Sequence, residues 1–306
     1  MACEIRPFSV PSSDGIHTLK GVIYVPEGDP IGYFHIVHGM TEHIDRYHKF
    51  MSDMANEGYI CFGYNNLGHK DTAKDSELGF IAKKNGWELL CRDVKLFSEA
   101  VKKEYGEKLP YYLMGHSMGS FIARLAAVEY VRPKKLIAMG TAGKNPAAGA
   151  GLALISLIGL FFGERHFSPL VDKIAFGSYN KRFGGGSADD PKPWLTNDED
   201  IRRIYYKDKY CTFNFSVSAM GDLIRLIKHS NDKSWYKGLS REMPLLLVSG
   251  SDDPVGNYGK GILEISKKAD AEGLNVTYIL YDGARHEILN DTTYDRVRLD
   301  ICNFLK

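Results

Sequence analysis

Gly115-His116-Ser117-Met118-Gly119 is a G-x-S-x-G pentapeptide between YYLM, which reads as a strand, and SFIARLAAV, which reads as a helix. Glycines two residues either side of a serine suit a strand-to-helix turn so tight that a Cβ would clash there, with the serine strained and its Oγ exposed. Such a serine attacks an acyl carbon when a base takes its proton and a carboxylate orients the base. On a sheet of this kind the partners follow in the order Ser, Asp, His, each just past the end of a later strand. PLLLVSG is followed by Ser251-Asp252-Asp253-Pro254-Val255, and VTYILYDG by Ala284-Arg285-His286-Glu287. His286 is therefore the candidate base and Asp253 the candidate orienting carboxylate. Asp253 is preferred because Asp-Pro-Val puts it on the outer turn, while spacing alone leaves Asp252 open. The run FHIV ends in His38-Gly39-Met40-Thr41-Glu42-His43. Gly39 permits close backbone approach, so the N–H groups of Met40 and Met118 are the candidate oxyanion donors. On the alternative of a plain glycine turn opening a helix, Glu42 and Arg46 form an i,i+4 surface pair.

Positioning these residues requires a particular succession of elements. Two strand-like runs, IRPFSV and TLKGVIYV, flank the turn signal PSSDG and read as a hairpin. Apolar strand-like runs then alternate with amphipathic helical patterns, stop for about 90 residues after Gly143, and resume at PLLLVSG. Strands alternating with helices imply βαβ units and a mostly parallel sheet flanked by helices. The interruption is expected to be an insertion into one α/β domain, giving a core of 1–142 and 236–306 and an inserted cap of 143–235. Within it, Gly184 to Pro193 is the most linker-like segment.

Composition narrows the class. With 306 residues, 44% apolar and 25% charged, the chain can bury a substantial core unaided by disulfides. A net charge of +1 argues against a nucleic-acid partner, since duplex binders usually carry a strong basic excess. Five widely spaced cysteines with no Cys-x-x-Cys pair disfavour a disulfide framework or zinc knuckle, and a reducing cytoplasm is the expected setting. Glu4 and Arg6 interrupt what a secretory leader would need as an apolar run. His286-Glu287 lacks the histidine a zincin helix needs at 290, Gly259-Lys260 lacks the frame of a P-loop, and no G-x-G-x-x-G follows a strand. No cofactor and no metal are expected.

HGMTEHIDRY, GHSMGS, SGSDDPVG and DGARHE together resemble the monoacylglycerol lipase and lysophospholipase branch of the serine α/β-hydrolases, a group that includes serine aminopeptidase-like hydrolases. The similarity runs over nearly the whole chain and is weakest in the insertion. It implies the α/β-hydrolase fold, Ser117 as nucleophile with Asp253 and His286, Met40 and Met118 as oxyanion donors, and a cap over an acyl pocket. The implied reaction is hydrolysis of carboxylic esters of monoacylglycerol or lysophospholipid, a small-molecule lipid partner. Aminopeptidase and short-chain carboxylesterase chemistry are the alternatives, the former needing carboxylates such as Glu164 and Asp172 for a substrate ammonium. Ser120 stands where such lipases often have a second glycine, and Asn65-Asn66-Leu67-Gly68-His69-Lys70 replaces a more usual Asp-x-x-Gly-His-Gly.

Between Lys144 and Glu164 lie 19 uncharged residues, of which Leu152 to Phe162 is the apolar part proper. Pro146, Gly149, Gly151 and Gly159 weaken this stretch as a spanning helix. A single crossing would also put Ser117 and His286 on opposite sides of a bilayer. The segment is therefore expected either to pack inside the cap or to meet a membrane surface transiently, with Leu157, Leu160, Phe161 and Phe162 lining the acyl pocket.

Overall fold

Four runs in which every residue is buried, GYFHIV, YICFGY, YYLMGH and LLLVSG, form central strands of one sheet, the pattern expected when helices cover both faces. The computed structural model describes residues 3–306. In chain order the strands are β1 (Glu4–Pro11), β2 (Thr18–Val25), β3 (Gly32–Val37), β4 (Tyr59–Tyr64), β5 (Tyr111–His116), β6 (Lys135–Met139), β7 (Leu245–Gly250) and β8 (Val276–Tyr281). They form an eight-stranded sheet in the order β1-β2-β4-β3-β5-β6-β7-β8. The hairpin read at the N-terminus is the β1–β2 pair, which joins antiparallel to β4, and every later pairing is parallel.

The flanking helices are α1 (His48–Asn56), α2 (Gly86–Tyr105), α3 (Met118–Glu129), α9 (Lys260–Ala271) and α10 (Tyr294–Leu305). Between β6 and β7 run α4 (Ala148–Phe162), α5 (Pro169–Phe176), α6 (Glu199–Lys207), α7 (Val217–Ser230) and α8 (Lys233–Gly238). Side-chain caps start four of them: Ser168 accepts from Val171 N–H, Asp198 from Asp200 and Ile201, Ser216 from Ala219, and Asp232 from Ser234. The boundary expected at 235/236 falls inside α8, whose Trp235 is buried and donates its indole N–H to the Arg124 carbonyl on α3 at 2.7 Å. The linker-like segment is tied down as well, because Asp190 binds Arg202 at 3.0 Å and accepts from the Tyr206 hydroxyl at 2.7 Å.

Helix α4 packs on α7 through a stripe of small and branched residues. A Cβ on Gly151 would lie 3.1 Å from Ile224, and one on Gly221 would lie 3.4 Å from Ile155, so glycine on each helix brings the two close. Leu157, Leu160 and Phe161 on the opposite face, with Phe162 at the helix end, are 54%, 77%, 73% and 67% exposed. The four side chains expected to line an acyl pocket thus stand largely open to solvent. An α4 that is apolar on every side has no period from which to read its facing, and the glycines decide it. Leu160 does border a cleft of about 380 Å³, but that cleft is lined by Lys83, Lys84, Asp222 and Arg225 and not by the candidate catalytic residues. Among the described residues no helix is long and apolar enough to cross a membrane.

Arg124, on α3, is fully buried without a carboxylate partner in its hydrogen-bond set. It donates to Thr141 Oγ1 at 3.2 Å, to the Ser230 carbonyl and to Asn231 Oδ1 at 3.3 Å, and its guanidinium lies 4.2 Å over the Trp235 ring. Asn231 in turn donates to the Ala142 carbonyl at 3.1 Å. One side chain thus touches the chain where it leaves the sheet after β6 and where it returns toward β7.

Candidate active site

Ser117 sits between β5 and α3 with φ +53° and ψ −121°, a backbone strained for any residue with a Cβ. The pentapeptide glycines are needed for the reason expected: a Cβ on Gly115 would collide with the Gly119 carbonyl, and one on Gly119 with the Val37 carbonyl. Ser120, in place of a second glycine, turns its hydroxyl back onto the Ser117 carbonyl at 2.6 Å and so braces the turn. Ser117 itself remains partly exposed.

His286 and Asp253 meet beyond the ends of β8 and β7. His286 Nδ1 lies 2.9 Å from Asp253 Oδ2, and both side chains are buried. Asp252 points elsewhere and is partly exposed, so the aspartate within reach of His286 is Asp253. Asp253 also accepts from the Val255 N–H at 2.8 Å and the Ser249 hydroxyl at 3.2 Å. Burial alone would raise its carboxyl, but the imidazole charge, the bond to it and the Val255 N–H outweigh burial and hold it below the usual range. His286 is framed by the Trp194 ring at 5.3 Å and the His116 ring at 4.8 Å, and its N–H reaches the Trp194 carbonyl at 3.4 Å. Gly140, just past β6 with φ +58°, leaves the ring its space: a Cβ there would stand 3.0 Å from Cε1. Sequence reading missed Gly140, whose only mark is a glycine at a strand end.

The loop after β3 comes against the same serine, since a Cβ on Gly39 would lie 2.9 Å from Ser117 Cβ. Met118 is the first residue of α3, where an N–H has no acceptor within the helix, and Met40 follows Gly39 in the loop. Asn66 holds this loop from below, its N–H donating to His38 Nε2 at 2.9 Å and its side chain to the His38 carbonyl at 3.2 Å. The His69 ring packs on His38 at 5.0 Å. The unusual 65–70 segment thus braces the Met40 loop.

Behind these residues lies a buried ionic network that sequence reading did not find. Glu42 accepts from the Gly39 N–H at 2.5 Å, faces His116 Nδ1 at 2.9 Å and Arg46 at 3.2 Å, and accepts from the Tyr47 hydroxyl at 3.0 Å. Arg46 makes a bidentate pair with Glu287, both bonds 2.6 Å. The i,i+4 pair that would lie on a surface is 3% and 10% exposed instead. Burial pushes Glu42 up, but His116, then Arg46, more than reverse this and leave its carboxyl well below the usual range. Burial likewise lowers His116, yet Glu42 and then Glu287 raise it above the ordinary histidine value. A charged Glu42 therefore anchors the Gly39 N–H and, through His116, the residue preceding the serine. Thr41 is held from the insertion side, its carbonyl accepting from the Tyr205 hydroxyl at 2.9 Å.

A family model described as "Serine aminopeptidase, S33" matches residues 28–293. The chain belongs to this hydrolase family. It is 26% identical over 294 residues to the monoglyceride lipase of Homo sapiens, covering 92% of this chain and 86% of the relative. It is 26% identical over 310 residues to the monoacylglycerol lipase of Mycolicibacterium smegmatis, covering 97% and 98%. Among solved structures, a highly thermostable carboxyl esterase from Bacillus coagulans, in complex with glycerol, superposes with a TM-score of 0.91 at 27% identity, over 100% of this chain and 98% of that one. The eight-stranded, mostly parallel sheet with flanking helices is the α/β-hydrolase fold.

Proposed function

We propose that this carboxylic ester hydrolase cleaves monoacyl esters of glycerol, or of a lysophospholipid, through an acyl-enzyme on Ser117. The observation that carries the reading is the buried Asp253–His286 pair at 2.9 Å beside the strained turn that presents Ser117. Ser117 Oγ attacks the ester carbonyl while His286 Nε2 takes its proton, and Asp253 holds the imidazolium and fixes its orientation. The Met40 and Met118 N–H groups receive the charge that develops on the carbonyl oxygen. The imidazolium then protonates the departing alcohol, and water repeats the sequence to free the fatty acid.

Glycerol as the departing alcohol is supported by the names of the full-length relatives and by the glycerol complex of the similar esterase. Peptidase chemistry fits the side chains less well. Glu164 stands 3.7 Å from Lys83 on a cleft that none of the candidate catalytic residues lines, which puts it away from where a substrate ammonium would need it.

A fluorophosphonate probe is expected to label the wild type and to leave Ser117→Ala unlabelled, because only an activated serine reacts. Monoacylglycerols, lysophosphatidylcholine, p-nitrophenyl esters and aminoacyl amides compared by kcat/KM then fix the substrate class. Faster turnover of the amides than of every ester would overturn the reading.

A further inference from the structure

Cys211 plays no part in the chemistry above, yet its buried thiol stands in a small group of metal-binding side chains. One donor atom each from His43, Asp208 and Cys211 lie within 4.8 Å of one another. His43 comes from the loop that carries Met40, whereas Asp208 and Cys211 follow α6 in the segment between β6 and β7. The latter two are set by a tight turn, in which the Cys211 N–H donates to the Asp208 carbonyl at 2.9 Å and the Tyr210 N–H to Asp208 Oδ1 at 2.8 Å. That leaves Asp208 Oδ2 facing His43 Nε2 at 2.8 Å.

We propose that His43, Asp208 and Cys211 bind one thiophilic divalent cation of the Zn²⁺, Co²⁺ or Cd²⁺ kind, which clasps the 208–211 turn to the Met40 loop. Imidazole nitrogen at about 2.0 Å, carboxylate oxygen at about 2.0 Å and thiolate sulfur at about 2.3 Å from a tetrahedral ion stand about 3.3–3.6 Å apart. His43 and Asp208 need only part slightly, and the Cys211 sulfur closes by about 1 Å, the reach of a side-chain rotation. Asp208 is 30% exposed, so an ion can enter from solvent and keep water as its fourth ligand.

The surrounding charges permit a dication. Lys70 stands 3.5 Å from the far nitrogen of His43 and is paired with Asp45, while Arg46 is held by Glu42 and Glu287. These partners offset Lys70 and Arg46, the third nearby cation, Lys192, is opposed by Asp172, and Asp208 with an ionised Cys211 supplies the two negative charges the ion needs. On binding, the Cys211 thiol gives its proton to solvent, the imidazole proton moves from Nε2 to Nδ1, and the Lys70 ammonium, which faces Nδ1 before binding, turns to its partner Asp45.

The test uses the full chain stripped by chelator. Cobalt(II) is expected to bind at one equivalent with a near-ultraviolet thiolate-to-metal band and the visible bands of a tetrahedral ion. Cys211→Ser should lose the band, and Asp208→Asn and His43→Gln should weaken binding at least about tenfold. Zn²⁺ should raise the melting temperature of the wild type and leave that of Cys211→Ser unmoved. Circular dichroism confirms that each variant is folded. Absence of stoichiometric cobalt uptake up to millimolar metal, or an undiminished band in Cys211→Ser, overturns the site. The titration runs equally well in Ser117→Ala, so its outcome stands apart from that of the ester reading.

Discussion

Gly140 measures how closely His286 is confined. Alanine there adds a Cβ 3.0 Å from the imidazole at a φ that favours glycine, so Gly140→Ala is expected to keep the fold and to lower kcat by about tenfold to a hundredfold through a displaced base. An unchanged kcat, read beside far-ultraviolet circular dichroism, would remove this residue from the alignment of His286. Glu42→Gln tests the network behind it. Taking the charge from His116 and Arg46 should cost about 3 kcal/mol in urea unfolding and reduce kcat more than it changes KM, because the Gly39 loop loses its anchor. Much at this scale was legible: Ser117, Asp253 and His286 each follow a strand that announces itself by its apolar run. Burial was not legible. Four residues of spacing describe Glu42 and Arg46 equally well on a surface or inside, and the partner that holds Arg46 in the interior, Glu287, lies 241 residues further along the chain.

Elements were legible wherever one face is polar, since a period then exists to be read. The run VTYILY is β8, and the amphipathic pattern before it is α9, which packs on β8 and β7. Helix α4 has no polar face, and its orientation comes from glycines on α4 and α7 that are visible as letters but silent about their partner. The two sides of α4 should therefore respond differently. Ile155→Ala, on the buried side, is expected to destabilise by about 2–4 kcal/mol, whereas Phe161→Ser, on the exposed side, should change stability by less than about 0.5 kcal/mol. Thermal or urea unfolding separates the two. A large loss from Phe161→Ser would mean that this face is covered in solution.

For the whole molecule, buried histidines set the response to acid. His35 and His38 are pulled by burial to about 3, and His69 to about 4. In the unfolded chain the same groups take up protons near the usual value of about 6.5. Their depressed folded values leave stability intact above about pH 6.5 and withdraw it as the pH falls toward 4, by up to about 1.4 kcal/mol per pH unit for each histidine. His116 has the opposite sign: its raised value stabilises below about pH 6.5, and that contribution fades as the pH climbs through the folded value. Asp93 and Asp222, which burial raises to about 6 and about 7, oppose this over the same range, because the folded state takes up their protons first. His69→Gln should therefore make the urea midpoint hold up better on going from pH 6.5 to 4.5 than in the wild type, and an identical pH dependence in the two proteins would contradict the burial of this ring. Arg124 bears on the molecule's motions in another way. Its guanidinium holds both roots of the segment between β6 and β7, and parting them would strand a cation in the interior. Motion within the segment then leaves its two roots in place, and α7, packed on α3 and α2, stays with the core together with the Tyr205 hydroxyl bonded to Thr41. Amide exchange should accordingly be slow at 139–142 and 231–236 even where α4 to α6 exchange faster, because opening of those helices leaves the ends of the sheet beneath them clamped.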